Sequence, residues 1–168
     1  MSKHAFYLDV DRCSGCMACA VACMDQNDLE IGAEPTAWRN VFKVETGSGA
    51  DARLRYVSIA CMHCEDAPCI IACPTGAIAR EPGTKAVKVD QELCIGCHSC
   101  SIACPFGVPR FGVEGTMQKC DLCTVRLENG LEPACVRACP TKALKQGDPN
   151  AISQDRETKA AARLAAGA

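Results

Sequence analysis

Alternating apolar and polar positions pick out few regular elements in this chain, and the clearest is a β-hairpin. Val41-Phe42-Lys43-Val44-Glu45 and Leu54-Arg55-Tyr56-Val57-Ser58-Ile59 have the period and composition of half-buried strands, with Gly47-Ser48-Gly49 as the turn between them. A shorter device runs through Pro74-Thr75-Gly76-Ala77-Ile78, Gly83 and Ala86-Val87-Lys88-Val89-Asp90, which reads as a turn, a short strand, a hairpin and a returning strand. A helix is plain only at the end. Asp148-Pro149 supplies a cap and first turn, and Ala151 to Ala166 reads as an alanine-rich helix whose large apolar side chains are Ile152 and Leu164 alone. Little would hold such a helix in isolation, so residues 148–168 are expected to be either a frayed tail or a strap on another subunit. No apolar run approaches a membrane span, and no direct membrane insertion is expected.

Composition explains why the pattern is sparse. Without cysteine the apolar fraction falls from 48% to below about 40%, 25 of those residues are alanine, and aromatics number seven. Burial of large side chains alone would not fold such a chain, so metal ligation is expected to carry much of the folding free energy and the apo form to be largely disordered.

Sixteen cysteines in 168 residues fill the gap, and they form four quartets. Cys13, Cys16, Cys19 and Cys23 follow C-x2-C-x2-C-x3-C, and Cys94, Cys97, Cys100 and Cys104 repeat it. Cys61, Cys64, Cys69 and Cys73, and Cys120, Cys123, Cys135 and Cys139, follow C-x2-C-xn-C-x3-C, with n of 4 and 11. None is left over, so four [4Fe-4S] clusters with four thiolates each would use all of them. Pro74, Pro105 and Pro140 follow the fourth cysteine of their runs, the C-P ending of bacterial ferredoxin motifs. Zinc is the stronger rival, but C-x2-C-x2-C puts three ligands on one loop, whereas a zinc site gathers two pairs from separate knuckles. A disulfide scaffold would come with an export signal and irregular spacings.

The N-terminus, Met1 to Leu8, runs into the first cysteine run without a twin-arginine stretch or apolar leader, so the expected location is the cytoplasm. Co-export with a signal-bearing partner is the one route out left open. Oxidised clusters add charge to the formal −2 and bring the loaded protein to about −10. With no basic run or aromatic-basic platform, nucleic acid is not an expected partner.

The fold class expected is α+β, two bacterial-ferredoxin-like 2[4Fe-4S] units. Residues 61–105 form the central one, in which the fourth cysteine of each run crosses to the other cluster. That gives Cys61, Cys64, Cys69 and Cys104 to one cluster and Cys94, Cys97, Cys100 and Cys73 to its neighbour. The outer runs repeat the same pieces in reverse order: Leu8 to Cys13 echoes Val87 to Cys94, and Cys139-Pro140-Thr141-Lys142-Ala143-Leu144 echoes Cys73-Pro74-Thr75-Gly76-Ala77-Ile78. Residues 1–60 (with a hairpin insertion at 38–60) and 106–147 would make a permuted outer unit around the inserted central one. Its clusters would take Cys13, Cys16, Cys19 and Cys139, and Cys120, Cys123, Cys135 and Cys23. Sequential pairing of runs one with two and three with four is the alternative. His63 and His98 read as surrounding or solvent-facing groups, Trp38 as a packing residue, and Arg110 and Lys119 either as charges that raise nearby potentials or as solvated surface residues.

In this order the runs, with Asp11-Arg12-Cys13-Ser14-Gly15-Cys16, Cys61-Met62-His63-Cys64-Glu65-Asp66-Ala67-Pro68-Cys69, Cys94-Ile95-Gly96-Cys97 and Lys119-Cys120-Asp121-Leu122-Cys123, make the chain resemble the four-cluster electron-transfer subunits of molybdenum and tungsten oxidoreductases. The likeness covers about residues 5–147, and the nested ligation of that family agrees with the pairing above. It implies a protein that is not catalytic alone. Its partners would be a large molybdenum- or tungsten-pterin catalytic subunit and a further redox subunit, flavin/NAD or quinone-linked. Many relatives with a membrane-anchor subunit extend further, whereas this chain stops 29 residues after Cys139. That favours a soluble complex of the tungsten aldehyde oxidoreductase type. The competing expectations are a free diffusible polyferredoxin and a structural assembly protein stapled by metal. Self-association into longer wires is a further expectation.

Overall fold

The computed structural model describes residues 4–29 and 37–166; Met1 to Lys3, residues 30–36 and the last two residues, which the domain expectations included, lie outside. In chain order the elements are β1 (Ala5–Leu8), α1 (Ala18–Gln26), β2 (Asn40–Thr46), β3 (Arg53–Ile59), α2 (Pro68–Ile71), β4 (Ile78–Arg80), β5 (Val87–Val89), α3 (Ser99–Ala103), β6 (Arg110–Phe111), β7 (Met117–Gln118), α4 (Thr124–Glu128), α5 (Ala134–Arg137), β8 (Leu144–Gly147) and α6 (Pro149–Ala165). The strands form four two-stranded antiparallel ladders, β1–β8, β2–β3, β4–β5 and β6–β7.

Two of these ladders repeat one another. In β4–β5, Ile78 faces Val89; Ile78 is five residues after Cys73 and Val89 five before Cys94. In β1–β8, Leu144 faces Leu8, and the same five-residue offsets separate them from Cys139 and Cys13. The amide of Asp90 donates to the Ala77 carbonyl and that of Asp9 to the Ala143 carbonyl, both at 2.8 Å. Helices follow the same scheme, α2 lying on α3 and α5 on α1. The first and last strands of the cysteine-rich region therefore meet across the whole chain, while the central pair closes locally.

Aliphatic burial is thin. Of the 22 buried apolar residues described, 15 are alanine or cysteine. The core is three small clusters, each containing cysteine: one around Met117, Val87 and Ile78, one around Leu144 and Val136, and one around Val108 and Ala60. No helix among the described residues is long and apolar enough to cross a membrane.

Candidate metal centres

Each cysteine run places its sulfurs through left-handed backbone turns. In the two C-x2-C-x2-C runs, Gly15 and Gly96 have φ of 72° and 66°, and Met17 and His98, which open α1 and α3, have 63° and 64°. In the other two runs, His63 and Leu122 hold the matching position between the first two cysteines, at 47° and 68°. Gly76 and Lys142, three residues after Cys73 and Cys139, are left-handed as well, at 67° and 52°. Such turns curl the chain around a point and aim successive amides inward.

The tertiary structure gathers the sulfurs across runs. Cys13, Cys16, Cys19 and Cys139 line one cavity, closed by Leu8, Val41 and Leu144. Cys73, Cys94, Cys97 and Cys100 line a second, with Ile78, Phe111 and Met117. Cys61, Cys64, Cys69 and Cys104 line a third, with Val87, Val108 and Lys119. Cys23, Cys120, Cys123 and Cys135 are all buried. Burial, and then the nearby Cys135 and Cys123, pushes the Cys23 thiol up to about 12. Cys135 packs in one buried group with Cys139, Cys13 and Cys19, and Cys120 in another with Cys61 and Cys104, so this quartet touches the residues of both the first and the third cavities. Of the sixteen, only Cys16 and Cys97 are exposed, one lining the first cavity and one the second.

The donor set fits iron–sulfur clusters: four thiols around a space whose other walls are mostly apolar. Amides already point at the sulfurs, from His63 to Cys61 at 3.4 Å, from Met117 to Cys94 at 3.3 Å and from Leu144 to Cys139 at 3.5 Å. Thr75 and Thr141 repeat one another again, each hydroxyl 3.7 Å from the sulfur of Cys73 or Cys139. Burial opposes ionisation at both thiols, but hydrogen bonds outweigh it and their pKa values fall. At Cys97 the Ser99 hydroxyl leads a similar lowering. Burial raises Cys120, Cys123 and Cys135, so those thiols stay protonated until a metal displaces the proton.

His63 is not solvent-facing. Its Nδ1 accepts from the Val87 amide at 3.0 Å, its Nε2 is buried without a partner among the described residues, and burial pushes its pKa down to about 3. His98 is exposed and lies against Phe111, ring centroids 3.8 Å apart. Trp38 packs beside Ala60, Cys61 and Cys120. Lys119 is 3% exposed and donates to the carbonyls of Val87 and Cys120, so it is no surface residue, whereas half-buried Arg110 donates to Gly107 and Pro109. Sequence reading passed over two residues at the centres. Arg39 is buried and donates to Ser58 at 3.0 Å, and the Ser58 hydroxyl is 3.5 Å from the Cys19 sulfur. Nothing local distinguishes an arginine before a strand or a serine within one.

Comparison with known proteins agrees with this chemistry. Residues 52–149 and 12–77 match 4Fe-4S dicluster domain families. The chain is 38% identical over 170 residues to the probable anaerobic dimethyl sulfoxide reductase chain YnfG of Escherichia coli, covering 95% of this chain and 80% of the relative. It is 43% identical over 148 residues to the thiosulfate reductase electron transfer subunit PhsB of Salmonella typhi, covering 87% and 76%. The E. coli protein NrfC is 42% identical over 160 residues, covering 90% and 70%. The chain belongs to this 4Fe-4S dicluster family of iron–sulfur electron-transfer subunits, carries four [4Fe-4S] clusters, and is not catalytic on its own.

Proposed function

We propose that the chain relays single electrons between a large molybdenum- or tungsten-pterin catalytic subunit and a further redox subunit or carrier. In this reading four centres form the relay, in numbered order. Cluster 1 is held by Cys13, Cys16, Cys19 and Cys139, cluster 2 by Cys120, Cys123, Cys135 and Cys23, cluster 3 by Cys61, Cys64, Cys69 and Cys104, and cluster 4 by Cys94, Cys97, Cys100 and Cys73. The observation that carries the assignment is that Cys139 lines one cavity with the three cysteines of the first run. The outer ferredoxin-like unit is then permuted around the central one, a reading supported by the matched β1–β8 and β4–β5 registers.

When bound, the clusters supply one-electron chemistry with no proton to move. The protein does the rest. The cysteines would bind iron as thiolates, their protons released to solvent, while apolar walls exclude water from the centres and amide and hydroxyl hydrogen bonds to sulfur favour the more negative, reduced form. The exposed Cys16 and Cys97 mark the ends at which electrons enter and leave.

Relatives named as dimethyl sulfoxide and thiosulfate reductase chains support a reductase partner ahead of the tungsten aldehyde oxidoreductase type that the sequence favoured. Anaerobic affinity purification from the native host, with metal analysis, tests this. About sixteen irons per chain together with molybdenum or tungsten is the expected result. Iron in a lone monomer would make the chain a diffusible carrier, redox-silent metal would make it a structural protein, and a mass that rises with concentration would indicate wires of several copies. Ligation is tested separately, by electron paramagnetic resonance. Crossed ligation in the nested units expects Cys139→Ser to disturb the same signal as Cys13→Ser; disturbance of the signal shared with Cys94→Ser would establish sequential pairing, and of that shared with Cys120→Ser a run that ligates without crossing.

A further inference from the structure

Arg39 is a buried cation. It is 3% exposed, and no ion pair among the described residues includes it. Its guanidinium lies over the Phe6 ring, 5.1 Å from the centroid, and Nη1 donates to Ser58 Oγ at 3.0 Å. Neither partner carries charge. A desolvated guanidinium without a counter-ion strongly disfavours folding, so the loaded protein must supply an anion.

The anions in reach are sulfurs. Phe6, whose ring lies under the Arg39 guanidinium, packs against the buried groups that contain Cys135 and Cys120. Ser58, bonded to Arg39, reaches Cys19 at 3.5 Å. One cation therefore sits, across Phe6, beside two cysteines assigned to cluster 2 and, through a hydroxyl, reaches one assigned to cluster 1.

The inserted hairpin delivers both residues. Arg39 immediately precedes β2, and Ser58 is the one fully buried residue of β2 and β3, whose far halves are exposed. The hairpin contributes little to the core, and its buried end reaches the space between two cysteine groups.

We infer that Arg39 is a positioning residue whose counter-ions are clusters 1 and 2, and that with Ser58 it raises the reduction potentials of these two centres selectively. The inference rests on the ligation proposed above. Reduction adds negative charge to a cluster, and a fixed cation in a water-poor setting stabilises that charge. Arginine suits the position better than lysine because its weakly hydrated, planar fork donates to several acceptors while stacked on an aromatic ring.

The test is a redox titration of the full-length holo-protein followed by electron paramagnetic resonance. Arg39→Gln is expected to lower the midpoints of two clusters, those whose signals Cys139→Ser and Cys123→Ser disturb, and to leave the other two unchanged. Arg39→Lys should restore most of the shift, and Ser58→Ala should move cluster 1 alone. Unchanged midpoints in Arg39→Gln, or an equal shift of all four, would overturn the inference. Should Arg39→Gln bind fewer irons, Arg39→Lys decides: full loading with near-parental midpoints supports the charge, and iron loss matching the glutamine variant overturns it. Failure of the ligation itself would be visible without any Arg39 variant, as a parent protein lacking four cluster signals or as Cys139→Ser grouping with Cys94→Ser or Cys120→Ser.

Discussion

The smallest decisive features are single backbone conformations. Gly15 and Gly96 occupy the same place in the two tight cysteine loops, both left-handed, where a side chain costs about 1–2 kcal/mol. Their surroundings differ. A Cβ on Gly15 would meet the Tyr56 ring, a side chain able to shift, whereas one on Gly96 would meet the carbonyl oxygen of Gly115. Both alanine variants are expected to lose iron on heating sooner than the parent, and Gly96→Ala by the larger margin. Iron retained per chain against temperature measures this, and equal retention would show that the Gly115 turn yields. Glycine in these loops was readable from sequence. The matching left-handed Met17 and His98 were not, because a side chain adopts that conformation only uncommonly and ligand placement favours it here.

Elements governed by local chemistry were legible, and those governed by distant contacts were not. The β2–β3 hairpin follows from alternation and a glycine turn, and α6 from its cap: Asp148 Oδ1 accepts from Asn150 at 2.9 Å and Ala151 at 3.2 Å. Among described residues α6 buries nothing. A Lys145–Asp155 pair at 3.0 Å and Arg156 over the Tyr7 ring tie it to the body, and exposed pairs of this kind add little. Asp148→Ala should cost about 1 kcal/mol of helix stability, seen as lower helicity by circular dichroism with iron content unchanged. Deletion of residues 150–168 should likewise leave all four clusters in place. Lost binding of the catalytic partner in that variant would identify α6 as a strap, and unchanged binding would leave it a tail. The two-residue strands β6 and β7 carry no alternation long enough to read, and they exist because Arg110 and Phe111 are brought opposite Gln118 and Met117.

At the scale of the whole molecule, metal takes the place of a conventional core. With alanine and cysteine supplying most buried apolar residues, and with Arg39 and Lys119 buried beside the cysteines, the apo chain has too little apolar burial and too much buried charge to hold this fold. Removal of iron under anaerobic conditions is expected to abolish cooperative unfolding and amide dispersion in the NMR spectrum; a well-dispersed apo spectrum would contradict this. The cofactor was legible in the cysteine spacings, because cluster chemistry demands thiolates at short fixed intervals that survive in one dimension. So were the local hairpin and the terminal helix, whose signals lie within a few residues of one another. Folding is what brings Cys139 to the cavity of the first cysteine run, sets Leu8 against Leu144, and carries Arg39 and Ser58 in among the cysteines. Those contacts join residues far apart in the chain, and their energy comes from closing shared cavities and compensating buried charge, which no local pattern records.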